Sequence, residues 1–234
     1  MEKLIELSDI TAGYDGKVVL RDVSLTVWKD DFLGIIGPNG GGKTTLLKVI
    51  LGLLQPTSGN LRFFKDGKPC DNIKIGYLPQ MNNIDKKFPI SVREVVASGL
   101  TSQKPLFKSY SKEQQNRIDI VLEEMKIADL AMRPIGELSG GQLQRVLLGR
   151  SIVSKPDALI LDEPNSYVDK RFESHFYELL ERINTESAII LVSHDIGTVL
   201  SMVKNIACVN ETLHYHSGAD ITSDWLNDKY ACPI

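Results

Sequence analysis

A chain of 234 residues, 42% hydrophobic and 24% charged, is long enough to bury a substantial core as one large or two small domains. A formal net charge of −3 leaves no global basic surface, so electrostatics do not point to nucleic acid as a partner. No stretch approaches the roughly 18 to 20 apolar residues that cross a bilayer. The charged start Met1-Glu2-Lys3 also lacks a signal-peptide core, so a cytoplasmic protein is expected.

Alternation of apolar with polar residues predicts half-buried antiparallel strands over 4–10 and 18–27. A short apolar run over 32–36 leads into Gly37-Pro38-Asn39-Gly40-Gly41-Gly42, and a helical pattern over 43–54 follows, closed by Gln55-Pro56-Thr57-Ser58-Gly59. Strand, glycine loop and helix thus succeed one another. Apolar runs over 73–78, 158–161, 188–192 and 206–209 are short enough for buried strands, and helical patterns separate several of them. The expected fold is α/β with a largely parallel sheet.

Between about 82 and 152 strand character disappears, and 112–126 reads as an amphipathic helix with apolar Ile118, Val121, Leu122 and Met125. This stretch is read as an inserted helical subdomain, leaving 1–81 and 153–234 as the core of a single domain over 1–234. Cys70, Cys208 and Cys232 are odd in number and lack CxxC spacing, which argues against a disulfide framework or a zinc site.

Gly37 through Gly42, followed by Lys43 and Thr44, fits GxxxxGK[ST] in the strand–loop–helix context the motif requires. Glycines let successive backbone N–H groups curl around phosphate oxygens, and the helix N-terminus adds donors and a favourable dipole. Lys43 is expected to reach the β- and γ-phosphates, Thr44 to coordinate Mg²⁺ and Thr45 to touch the α-phosphate. The apolar run Leu159-Ile160-Leu161 ends in Asp162-Glu163-Pro164, placing two carboxylates at the carboxyl edge of a sheet, where open α/β folds bind ligands. Asp162 is read as holding Mg²⁺ through water and Glu163 as polarising the water that attacks the γ-phosphate. Ser193-His194-Asp195 follows another buried run, so His194 is poised for the γ-phosphate or the attacking water.

Leu138-Ser139-Gly140-Gly141-Gln142 opens a helical pattern that runs towards Ile152, a second place where a helix N-terminus can face a phosphate. With this series added to the glycine loop, the chain resembles the ABC ATPase family over nearly its whole length. The resemblance implies that family's fold: a P-loop NTPase core with a largely parallel sheet, an antiparallel β subdomain and an inserted α-helical subdomain. It implies ATP hydrolysis with Mg²⁺, coupled to transport by separate integral membrane permease subunits and a separate substrate-binding protein. It also implies a homodimer in which Ser139, Gly140, Gly141 and Gln142 contact the ATP held by the partner's glycine loop.

By the same resemblance, Tyr14 stacks on adenine and Gln80 senses Mg²⁺ and links the core to the helical subdomain. Asp169 then belongs to the loop that reports across the dimer interface. Tyr167 departs from the family's usual small residue, which bears on subunit approach, and Gly41 stands where alanine is commoner. The stretch over 83–92, leading into Glu94-Val95-Val96, is similar to the ATPases of zinc and manganese importers, which implies metal-ion import as the cargo. His214 and His216 share one face of a strand but make an incomplete zinc site and read as solvated residues. Phe88 and Phe107 lie on the stretch where the family receives a permease helix.

Overall fold

The computed structural model describes residues 2–80, 88–103, 109–164, 170–193 and 203–218. The chain folds as two compact units, one of residues 1–73 with 182–234 and the other of residues 74–181.

The first unit opens with β1 (Lys3–Tyr14) and β2 (Lys17–Trp28), which pair antiparallel. Asp15 and Gly16 between them both have positive φ, the backbone of a tight turn whose twist matches the flanking strands. Both strands run longer than the alternation predicts. β3 (Phe32–Ile36) is buried at every position, as its unbroken apolar run requires.

Helix α1 (Lys43–Ile50) stops four residues before the predicted end at 54. The reason is Gly52, at φ 69°, where the chain turns left-handed; its N–H donates to Val49 O at 3.0 Å and the N–H of Leu53 donates to Lys48 O at 2.8 Å. These two bonds satisfy carbonyls that the helix end leaves open. β4 (Ser58–Lys65) then pairs with β1, and β5 (Lys68–Cys70) closes a hairpin over Asp66 and Gly67, giving the sheet order β2-β1-β4-β5.

The second unit begins with β6 (Ile75–Leu78). Among the described residues three α-helices follow before the next strand: α2 (Val92–Ser98), α3 (Lys112–Glu124) and α4 (Gly140–Ile152), which pack on one another. Each starts at a serine whose hydroxyl accepts the N–H three residues on, while that residue's Glu or Gln side chain returns to the serine N–H: Ser91 with Glu94, Ser111 with Gln114, Ser139 with Gln142. Ile118, Val121, Leu122 and Met125 are buried, as the amphipathic pattern predicts, although α3 ends at Glu124 with Lys126 left-handed at φ 54°. β7 (Ala158–Asp162) is wholly buried and runs parallel to β6, Ile75 opposite Ala158 and Leu78 opposite Leu161. α5 (Lys170–Asn184) follows.

The chain returns to the first unit at Arg182, and β8 (Ala188–Val192), β9 (Asn205–Asn210) and β10 (Thr212–Ser217) follow there. β3 lies between β8 and β9 and is parallel to both, and β10 adds antiparallel to β9. A largely parallel arrangement is thus present, with a separate antiparallel sheet. No helix among the described residues is long and apolar enough to cross a membrane.

Candidate nucleotide site

In the first unit the loop 37–42 joins the end of β3 to the first turn of α1. Gly37, Gly40 and Gly42 have φ of 148°, 81° and 104°, values that side chains rarely tolerate. The loop also runs against neighbouring backbone: a Cβ on Gly37 would lie 2.0 Å from Val209 O, and one on Gly41 2.8 Å from the same oxygen. An alanine at 41 would therefore require β9 to shift, so glycine there has a steric reason in this chain.

The turn between β9 and β10 grips the loop directly. The N–H of Glu211 donates to Gly41 O at 2.9 Å, and the N–H of Arg21 donates to Glu211 O at 2.7 Å. Glu211 is a supporting residue that sequence reading missed; its place between two strand patterns was the available signal.

Lys43 is buried to 7% exposure, and its ammonium donates to Gly37 O at 2.8 Å and Pro38 O at 2.9 Å. A phosphate bound at this loop would offer the ammonium stronger, charge-assisted acceptors than these two neutral carbonyls. Pro38, Asn39, Gly40 and Thr44 are exposed, whereas Thr45 is buried. Tyr14 is 40% exposed with the Lys48 ammonium 5.1 Å from its ring centroid.

In the second unit Asp162 ends β7, buried to 6% exposure, and the Tyr77 hydroxyl on β6 donates to its Oδ2 at 3.3 Å. Burial first, then the charge of Asp162 and the bond to it, push the Tyr77 phenol up to about 12, so it stays a neutral donor. Tyr77 escaped sequence reading because nothing local distinguishes it from another strand aromatic. Glu163 has φ 52°, a left-handed conformation that costs a non-glycine residue about 1–3 kcal/mol and recurs at functional sites. Its Oε2 accepts from Gln80 Nε2 at 2.7 Å, so the two residues singled out on separate motifs meet.

Ser139 caps α4, and Gly140 and Gly141 form its first turn. The Ser139 hydroxyl accepts from Gln142 N at 3.3 Å while Gln142 Oε1 accepts from Ser139 N at 2.9 Å. The exposed helix start presents the N–H groups and dipole end that suit an anion. His194, Asp169, Tyr167 and Phe107 lie outside the described residues. Phe88 is 60% exposed. His214 is exposed and His216 half-buried, and among the described residues no group of three or more His, Cys, Asp or Glu side chains is placed to hold a metal ion.

A family model for the ABC transporter matches residues 20–166. A zinc uptake system ATP-binding protein of Listeria innocua, ZurA, is 40% identical over 98% of this chain and 91% of its own length. A zinc import ATP-binding protein of Hydrogenovibrio crunogenus, ZnuC, is 36% identical over 90% of this chain and 80% of its own. Among solved structures, an ABC transporter in an inward-facing conformation has the same fold, with a TM-score of 0.82 at 24% identity over 97% of this chain and 88% of that one. The chain therefore belongs to the ABC transporter family as one of its ATP-binding, ATP-hydrolysing subunits.

Proposed function

We propose that the chain energises import of a divalent metal ion such as zinc or manganese. In this reading it works as a homodimer on the cytoplasmic face of the cell membrane, bound to separate permease subunits and supplied by a separate substrate-binding protein. The observation that carries the cargo reading is the 36–40% identity to zinc uptake and import ATP-binding proteins over at least 90% of the chain.

Each residue has a role in this reading. Backbone N–H groups of Gly37 to Gly42 and the ammonium of Lys43 bind the β- and γ-phosphates, Thr45 approaches the α-phosphate and Tyr14 stacks on adenine. The Thr44 hydroxyl, the Asp162 carboxylate and the Gln80 carboxamide are hard oxygen donors of the kind Mg²⁺ takes. Held by these residues beside ATP, Mg²⁺ would supply positive charge that offsets the charge of the phosphates. Glu163 polarises the attacking water, His194 contacts the γ-phosphate and Asp169 reports across the dimer. Ser139, Gly140, Gly141 and Gln142 complete the partner's site. One chain carries one motif set, so two copies close on two nucleotides, and the preference of ATP for the closed pair drives the permease.

The test is uptake of radiolabelled zinc and manganese by cells carrying the native chain or Lys43→Ala at equal abundance. Loss of uptake of either ion in the variant supports the reading. Uptake of both at the native rate removes it.

A further inference from the structure

Gln144 lies on α4, beyond the cap at Ser139, on the side of the helix that carries buried Leu143 and Leu147. It is 5% exposed, yet it is polar. Its amide nitrogen donates to the carbonyl of Pro164, the residue after Glu163. Its amide oxygen is buried with no hydrogen-bond partner. An unpaired buried acceptor costs stability that a leucine or methionine of similar size would avoid, so packing alone does not account for glutamine here. What the side chain contributes is a donor to the Pro164 carbonyl.

The segment it holds is strained. Glu163 sits at φ 52°, and such conformations persist where the surroundings over-determine them. Among the described residues, Gln80 Nε2 holds the Glu163 carboxylate at 2.7 Å and Gln144 holds the main chain one residue beyond. Gln144 touches neither nucleotide nor water in any role assigned above.

We propose that Gln144 is a positioning residue for ATP hydrolysis: its bond from the signature helix to the Pro164 carbonyl sets the backbone from which Glu163 aims its carboxylate. This rests on the reading of Glu163 as the residue that polarises the attacking water. It makes one helix continuous between the glycine pair that faces the partner's nucleotide and the segment carrying Glu163 in the same chain. A misplacement of about 1 Å at a reacting group can cost on the order of 100-fold in rate.

Gln144→Met, Gln144→Leu and Glu163→Gln are compared with the native full chain by steady-state ATPase, equilibrium ATP binding, thermal midpoint and backbone amide exchange over 158–163. The expected result for both Gln144 variants is a kcat lower by about 10- to 100-fold, with KM and ATP affinity within about twofold of native. The thermal midpoint stays within a few degrees, and exchange quickens at Glu163 while α2 and α3 are unchanged. A kcat within about twofold of native in both variants, with Glu163→Gln inactive, overturns the proposal and leaves the role of Glu163 standing. Native turnover by Glu163→Gln removes the reading of Glu163 and the proposal with it. A kcat that falls only in step with ATP affinity and thermal midpoint makes Gln144 a packing residue and also overturns it.

Discussion

Lys43 shows how a single side chain can be prepared for a ligand. Its ammonium is nearly buried and donates to Gly37 O and Pro38 O, neutral acceptors of its own loop. Exchanging them for phosphate oxygens strengthens the bonds without moving the charge into a new environment. Lys43→Ala should therefore weaken ATP binding by at least about tenfold, since a hydrogen bond to a charged group contributes about 1.5–3 kcal/mol. Equilibrium titration with a fluorescent ATP analogue measures this, and an unchanged affinity would contradict the phosphate role. The glycines of the same loop were legible as a motif. That Gly37 and Gly41 both press on the carbonyl of Val209 was not, because β9 lies far along the chain and no local pattern announces its approach.

At the scale of elements, α2, α3 and α4 of the second unit start with the same device. Ser91-Glu94, Ser111-Gln114 and Ser139-Gln142 are reciprocal caps, and the last of them is part of the series from which the family resemblance was read. In α2 the Ser91 hydroxyl and then the Ser91 N–H hold the Glu94 carboxyl below its ordinary value of 4.5. Because the folded chain binds that proton less readily than the unfolded one, the cap stabilises above the ordinary carboxylate value and is lost as pH falls through the lower folded value. Glu94→Gln keeps the cap geometry but does not titrate. Its thermal midpoint should fall less steeply than the native one between about pH 5 and pH 3; parallel curves would show that Glu94 adds nothing to acid sensitivity. The serine-x-x-Glu/Gln spacing was readable in advance, as was the Asp66-Gly67 turn signal that betrays β4 and β5, two strands the alternation reading passed over. The early end of α1 at Gly52 was equally available.

For the whole molecule the proposed reading of one motif set per chain implies assembly. Glu163→Gln should bind ATP without turning it over, and should shift from monomer to dimer mass on adding Mg-ATP while the native chain relaxes as it hydrolyses. Size-exclusion with mass detection reads this directly, and a variant that hydrolyses ATP would redirect the assignment of Glu163. The sequence by itself determined the features that depend on neighbours in the chain: the glycine loop leading into α1, Asp162 and Glu163 at the end of β7, the serine and glycines that open α4 and the buried strands. Each follows from backbone conformation or hydrophobic spacing within a few residues. Only the tertiary structure decided that β3 lies between β8 and β9, that Glu211 clamps Gly41, that Tyr77 supports Asp162 from 85 positions away and that Gln144 holds Pro164. Those contacts join groups whose separation along the chain carries no signal, and they form because burying the apolar core brings otherwise unrelated polar groups within hydrogen-bond distance, where leaving a donor or acceptor unpaired costs stability.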